Sequence, residues 1–200
     1  MNTNRTSGIV LSIGSLLFLV AAFMPVSRVF VVRGAEQQLA VIAADRSGWQ
    51  VAQLSFGSGA TIAWVGMAML AYWLETKKRS IFPLVAMAAS GAGLVFWIVY
   101  IYLRTISPEN FVHSLYPGWL FPAYSFLTLL AIFVLGMEMY RLKFPLWLAL
   151  FTMLSAVLLA LAFLVLKDLP PLLYYIVTLV DGIAVLVLRS YAEIKQPNLS

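Results

Sequence analysis

One carboxylate stands near the middle of an otherwise apolar run: Asp181, in Thr178-Leu179-Val180-Asp181-Gly182-Ile183. An acid among hydrocarbon is costly, and the cost is met by a polar interior, a water-filled cavity or a bound proton. Two chemistries follow. In one, Asp181 is the titrating group of a small proton- or cation-coupled transporter, or the counter-charge of a ligand. In the other it is a carboxyl hydrogen-bonded to Ser or Thr on a neighbouring helix, holding its own helix in register. Arg189 lies eight positions on, roughly 12 Å along a helix and too far to pair. A contact with Arg28 would need several ångströms of reach in depth. The other acid inside an apolar run, Glu138, stands three residues before Arg141, where an i, i+3 surface pair accounts for it.

Aromatic rings carry the second candidate chemistry. Trp97, Tyr100, Tyr102, Tyr116, Trp119, Phe121, Tyr124, Tyr174 and Tyr175 fall toward one end of the apolar runs, and Tyr72, Trp73, Tyr140, Trp147 and Tyr191 toward the other. Interfacial belts account for most of them. The first set nevertheless draws on several runs and a loop, so Trp97, Tyr100, Tyr116, Trp119, Tyr124 and Tyr174 are the candidate lining of an outer pocket for a lipid or other apolar ligand. Metal and catalytic signals are weaker. His113 is the sole histidine, with Glu109 four residues before it; two ligands make no metal site, and the absence of cysteine removes thiolate sites and disulfides. No metal or other cofactor is expected. Neither H-E-x-x-H, G-x-S-x-G, a Walker loop nor a pair of intramembrane aspartates occurs, so no catalytic residue is assigned. An enzyme on the outer face would require Glu109, His113 and Asp45 to converge.

The elements that must position these groups are apolar helices. Of 200 residues, 62% are hydrophobic and 10% charged, with a mean hydropathy of +0.94, too little polar sequence to cover a soluble globule. A hydrocarbon layer of roughly 30 Å asks for about 20 apolar residues in helical form. Six runs meet that length: 8–27, 56–74, 81–103, 120–140, 144–166 and 169–188. Strand alternation is absent, so the expected fold is all-α, a polytopic transmembrane bundle in one domain. Short connections at Glu75 to Ser80, Arg141 to Lys143 and Lys167 with Asp168 make the helices they join neighbours. Pro25 ends or kinks the first run. Between Gly34 and Gly48, residues 35–45 form a short interfacial helix with Leu39, Ile42 and Ala43 toward lipid and Trp49 anchoring its exit.

Orientation follows the basic residues. Arg5, Lys77, Lys78, Arg79, Arg141, Lys143, Arg189 and Lys195 fall on one face, against Arg28, Arg33, Arg46, Arg104 and Lys167 on the other, which places both termini in the cytoplasm. The first run is retained as a span, since no small-x-small cleavage site follows it. Topology explains the net charge of +5, and without a basic stripe no nucleic-acid partner is expected. Small residues at Gly8, Ser12 and Ser15, at Gly59 and Ala63, and at Ala86, Ala89, Ser90 and Gly93 permit close helix approach, either within the chain or in an oligomer.

The run Arg141-Leu142-Lys143-Phe144-Pro145-Leu146-Trp147-Leu148 resembles the R-x-x-x-P-x-W-L turn between two spans of an uncharacterised family of bacterial six-span integral membrane proteins. Pro117-Gly118 before the fourth run also fits. That resemblance implies the six-span layout and a multi-pass location in the bacterial plasma membrane, and it carries no activity with it. The expected role is therefore a non-catalytic binding or accessory protein for an apolar ligand, lipid or partner subunit, with the Asp181 transporter as the alternative.

Overall fold

The computed structural model describes residues 3–77, 79–166 and 168–194, with side chains between positions 5 and 188. Lys78, Lys167, Lys195 and the Arg189 side chain, counted above for orientation, lie outside the described residues. Every regular element described is helical: α1 (Thr3–Ala22), a 3-10 turn (Pro25–Phe30), α2 (Ala35–Ala44), α3 (Arg46–Lys77), α4 (Phe82–Ile106), α5 (Pro108–Val112), α6 (Leu120–Arg141), α7 (Leu146–Leu166) and α8 (Leu172–Ile194). Five helices, α1, α3, α4, α6 and α7, are long and apolar enough to cross a membrane, while the apolar stretch of α8, Leu172–Leu188, is shorter. This is the helical bundle of a membrane protein. Its outward face is apolar, as lipid contact requires: on α7, Leu154, Leu158, Leu161 and Val165 are all more than half exposed.

The long helices follow one another around a ring in chain order, α1 against α3, α3 against α4, α4 against α6, α6 against α7, α7 against α8 and α8 back against α1. Short turns dictate three of these adjacencies, α3 with α4, α6 with α7 and α7 with α8, because a helix that re-enters after a few residues has nowhere to go but beside its predecessor. The neighbours expected across the three tight connections are all found.

Sterics at Pro25 explain where α1 stops. The residue before a proline is driven out of the α region, and Met24 has φ −63° and ψ 145°. The first helix therefore ends at Ala22 rather than at Ser27, and the chain continues as a 3-10 turn that packs against α2 and α3. Ser27 anchors that turn by donating to the Ala21 carbonyl (2.7 Å). The second helix is longer than its apolar run: α3 begins at Arg46, ten residues before Phe56. Asp45 caps it, its Oδ1 accepting the Gly48 amide at 2.8 Å, as short acidic side chains do at helix starts.

Two interfacial assignments need correction. The helix at 35–45 forms, as α2, but Val41 and Ile42 are buried and pack inward. Trp49 is 1% exposed, a core residue rather than an anchor. Both changes have one cause: α2 and the first turns of α3 lie on the same end of the bundle as the 3-10 turn and α5, and together they close a roof over it.

The small residues are spent inside the chain. A Cβ at Gly14 would fall 2.2 Å from the Ala63 nitrogen, and one at Gly66 would fall 2.3 Å from the Leu11 nitrogen. Backbones of α1 and α3 thus touch at two levels, and Gly8 and Gly182 bring α1 close to α8 as well, with a Cβ at Gly8 falling 2.9 Å from the Gly182 carbonyl oxygen.

Candidate functional site

The roofed end of the bundle encloses a chamber of about 420 Å³, within the size range of small-molecule sites. Every helix except α7 reaches it, through Phe18, Phe30, Phe56, Trp97, Tyr100 and Phe111 among others. Sequence periodicity puts these rings in place. Trp97, Tyr100 and Arg104 occur at i, i+3 and i+7 on α4, and Trp49, Gln53 and Phe56 at i, i+4 and i+7 on α3, so each trio shares one helical face.

At the centre is a cation. Arg104 is 4% exposed, and its guanidinium carbon lies 4.9 to 5.9 Å from the centroids of Tyr100, Phe30, Trp97, Phe111, Trp49 and Phe56. Each ring presents negative π density, an attraction of about 2 kcal/mol when both partners are desolvated. Arg104 also stands in the last turn of α4, where the helix dipole favours positive charge. Its hydrogen-bond partner is Gln53, whose Oε1 accepts from Nε at 3.0 Å and from Nη2. No carboxylate pairs with it among the described residues; the Glu138 carboxylate is paired with Arg141.

Two other polar side chains of the chamber are hydrogen-bonded to backbone. Ser27 donates to Ala21, and Gln38 Nε2 donates to the Val29 and Val32 carbonyls (3.1 and 3.3 Å), tying α2 to the 3-10 turn. Beside the chamber, Tyr116 donates to the Leu103 and Ser107 carbonyls and packs edge-on against Tyr100. Burial pushes its phenol above the ordinary value of 10.0, which keeps it a donor at neutral pH. Asp168, at the rim, is solvent-exposed.

Of the six rings expected to line a pocket, Trp97 and Tyr100 do so, and Tyr116 flanks it. Tyr124 and Tyr174 instead line a smaller internal space of about 30 Å³ with Thr178, room for about one water; Tyr124 stacks on Trp97 at 4.5 Å. Trp119 is 58% exposed and packs edge-on against Phe96, outside the chamber. Phe18, Phe30, Phe56, Phe111 and Arg104 also line the chamber without a sequence signal for it, and Trp49 and Gln53 contact Arg104. The apolar run ends at Leu103, which leaves Arg104 outside the expected span, but α4 continues to Ile106.

Asp181 is wholly buried, and its Oδ1 accepts from Thr152 Oγ1 of α7 at 2.6 Å. Ser15 of α1 and Thr178 of α8 share a hydrogen bond of 2.8 Å one turn away. The carboxyl thus ties α8 to α7, and the hydroxyl pair ties α8 to α1. Arg28 is exposed and does not reach it. Glu138 accepts from Arg141 at 2.6 and 2.8 Å, the expected pair, although the carboxylate is buried rather than at the surface. His113 is exposed, and Asp45 is committed to its cap. Among the described residues no three His, Cys, Asp or Glu side chains gather into a metal-binding group.

No family model, curated protein or solved structure matches the chain.

Proposed function

We propose that this is a non-catalytic, six-span protein of the bacterial plasma membrane with both termini cytoplasmic, which binds an apolar ligand or lipid in the aromatic chamber, as a binding or accessory protein. The observation that carries the reading is the chamber itself: about 420 Å³, ringed by aromatic side chains from elements far apart in sequence. Packing alone would fill such a volume, since protein interiors leave few voids larger than water. In this topology α8 is the sixth span and the roof faces outward, so a ligand enters from the outer leaflet or the outer aqueous phase. A partner subunit acting through the same face is compatible with the reading.

Ala22 lines the chamber at the end of α1. Ala22→Trp is expected to occupy much of the space and abolish retention of bound lipid, read by native mass spectrometry of the purified protein. Equal retention in wild type and variant would sink the proposal.

A second reading, a small proton- or cation-coupled transporter, rests on Asp181 and its hydroxyl neighbours. The hydrogen bond to Thr152 supports instead a register-fixing role. Asp181→Asn preserves size and can still hydrogen-bond Thr152, so it is expected to cost about 1 kcal/mol in stability or less and to leave flux into proteoliposomes unchanged. Loss of proton-coupled flux in that variant would favour the transporter.

A further inference from the structure

Arg104 lines the chamber. Among the described residues its charge meets no carboxylate, and it lies more than nine-tenths buried in the chamber wall. Of the five N–H donors of a guanidinium, two share a single acceptor, the Gln53 Oε1, and the Tyr100 hydroxyl is a further neighbour. A cage of rings is the usual receptor for a quaternary ammonium, but here the chain's own cation fills it. A second positive charge would be repelled. An anion would be drawn in, because attraction between charges grows as water is excluded, and Arg binds carboxylate and phosphate oxygens with paired donors.

Resting on the proposed binding role, we infer that the chamber is the site for a single-chain acidic amphiphile, its carboxylate or phosphate oxygens on Arg104 and its chain against the surrounding rings. The apolar walls exclude a purely polar anion as the preferred ligand, since such an ion would lose its hydration and gain one cation. Asp168 at the rim is solvent-exposed, so water screens its field at the guanidinium.

The test is competitive binding to the purified full-length protein in nonionic detergent, read by native mass spectrometry. The probes are oleate, oleyl phosphate, the uncharged methyl oleate and inorganic phosphate, each with wild type, Ala22→Trp and Arg104→Gln. Oleate and oleyl phosphate are expected to bind at least about tenfold more tightly than methyl oleate, the size of one charge-assisted hydrogen bond. That preference should vanish with Ala22→Trp. Because the comparison among probes is made on the wild-type protein, it stands even if Arg104→Gln does not fold; where it folds, the preference for the ionised probes should disappear. Equal binding of charged and uncharged probes, lost together in Ala22→Trp, would overturn the anion inference and leave the binding role standing. Retention of no probe by wild type would overturn both. Competition by inorganic phosphate as strong as that of oleyl phosphate would also overturn it, marking the site as one for a free anion.

Discussion

Replacing Gly14 by Val is expected to leave little folded protein. The first added carbon would lie 2.2 Å from the Ala63 nitrogen and 2.8 Å from the Gly59 carbonyl oxygen, and both are backbone atoms in the middle of α3. A side chain in that position can rotate aside; a helix backbone cannot move without its neighbours. α1 would have to withdraw from α3 along much of its length, and α1 also carries α8 and the floor of the chamber through Phe18, which stacks on Tyr175 at 3.7 Å. Overpacking in a core typically costs about 1–3 kcal/mol where side chains can yield, and this contact lies above that range. The measurement is thermal unfolding in mild detergent followed by helical circular dichroism, with Gly57→Ala as control, whose added carbon would meet only side-chain carbons at 3.6 Å and beyond. A Gly14→Val protein that melts within a few degrees of wild type would show that the two backbones are not held together as described.

The all-helical class and the adjacency of helices across the three tight connections were open to sequence reasoning because both follow from strong, local signals. Long apolar runs read out length, and tight turns read out adjacency. The positions of the ends were less accessible. Hydropathy stops at Leu103 and begins at Phe56, yet α4 carries on through Arg104 and α3 starts ten residues earlier, because a helix continues for as long as its polar residues find partners in the roof. Hydropathy therefore leaves Arg104 among the basic residues of one face, although its spacing from Trp97 and Tyr100 already puts it on their helical face. Trp119 erred the other way. Chain proximity to the pocket made it a candidate, but a residue just before a helix start can point outward, and this one packs on Phe96. The Asp181 partner was legible as a type, Ser or Thr on an adjacent helix, while its identity as Thr152 required the rotation of α7, which sequence periodicity in a uniformly apolar helix does not encode.

Gln53 is the residue on which the site's stability turns, and Gln53→Leu is expected to destabilise the protein by about 3 kcal/mol. Leucine keeps the volume but removes the Oε1 that accepts from two nitrogens of Arg104. Hydrogen bonds to a charged group contribute about 1.5–3 kcal/mol, and a buried group that loses its partner keeps the full desolvation cost. The rings around the guanidinium can weaken that penalty, but π faces do not replace an acceptor lying along the N–H direction. Arg104→Met alone should cost less, about 1–2 kcal/mol, because the group it orphans is a neutral amide. In the double variant the surviving chain has neither a stranded cation nor a stranded acceptor, so Gln53→Leu with Arg104→Met should be more stable than Gln53→Leu alone, a coupling of about 2 kcal/mol. Chemical or thermal unfolding of the four proteins measures it. Additive losses would mean that the guanidinium is held by its aromatic cage and not by Gln53. The same four proteins separate stability from recognition. A double variant that folds well and has lost its preference for oleate over methyl oleate would show that the buried charge is kept for what it binds, since an apolar pair in its place would hold the bundle together as well or better.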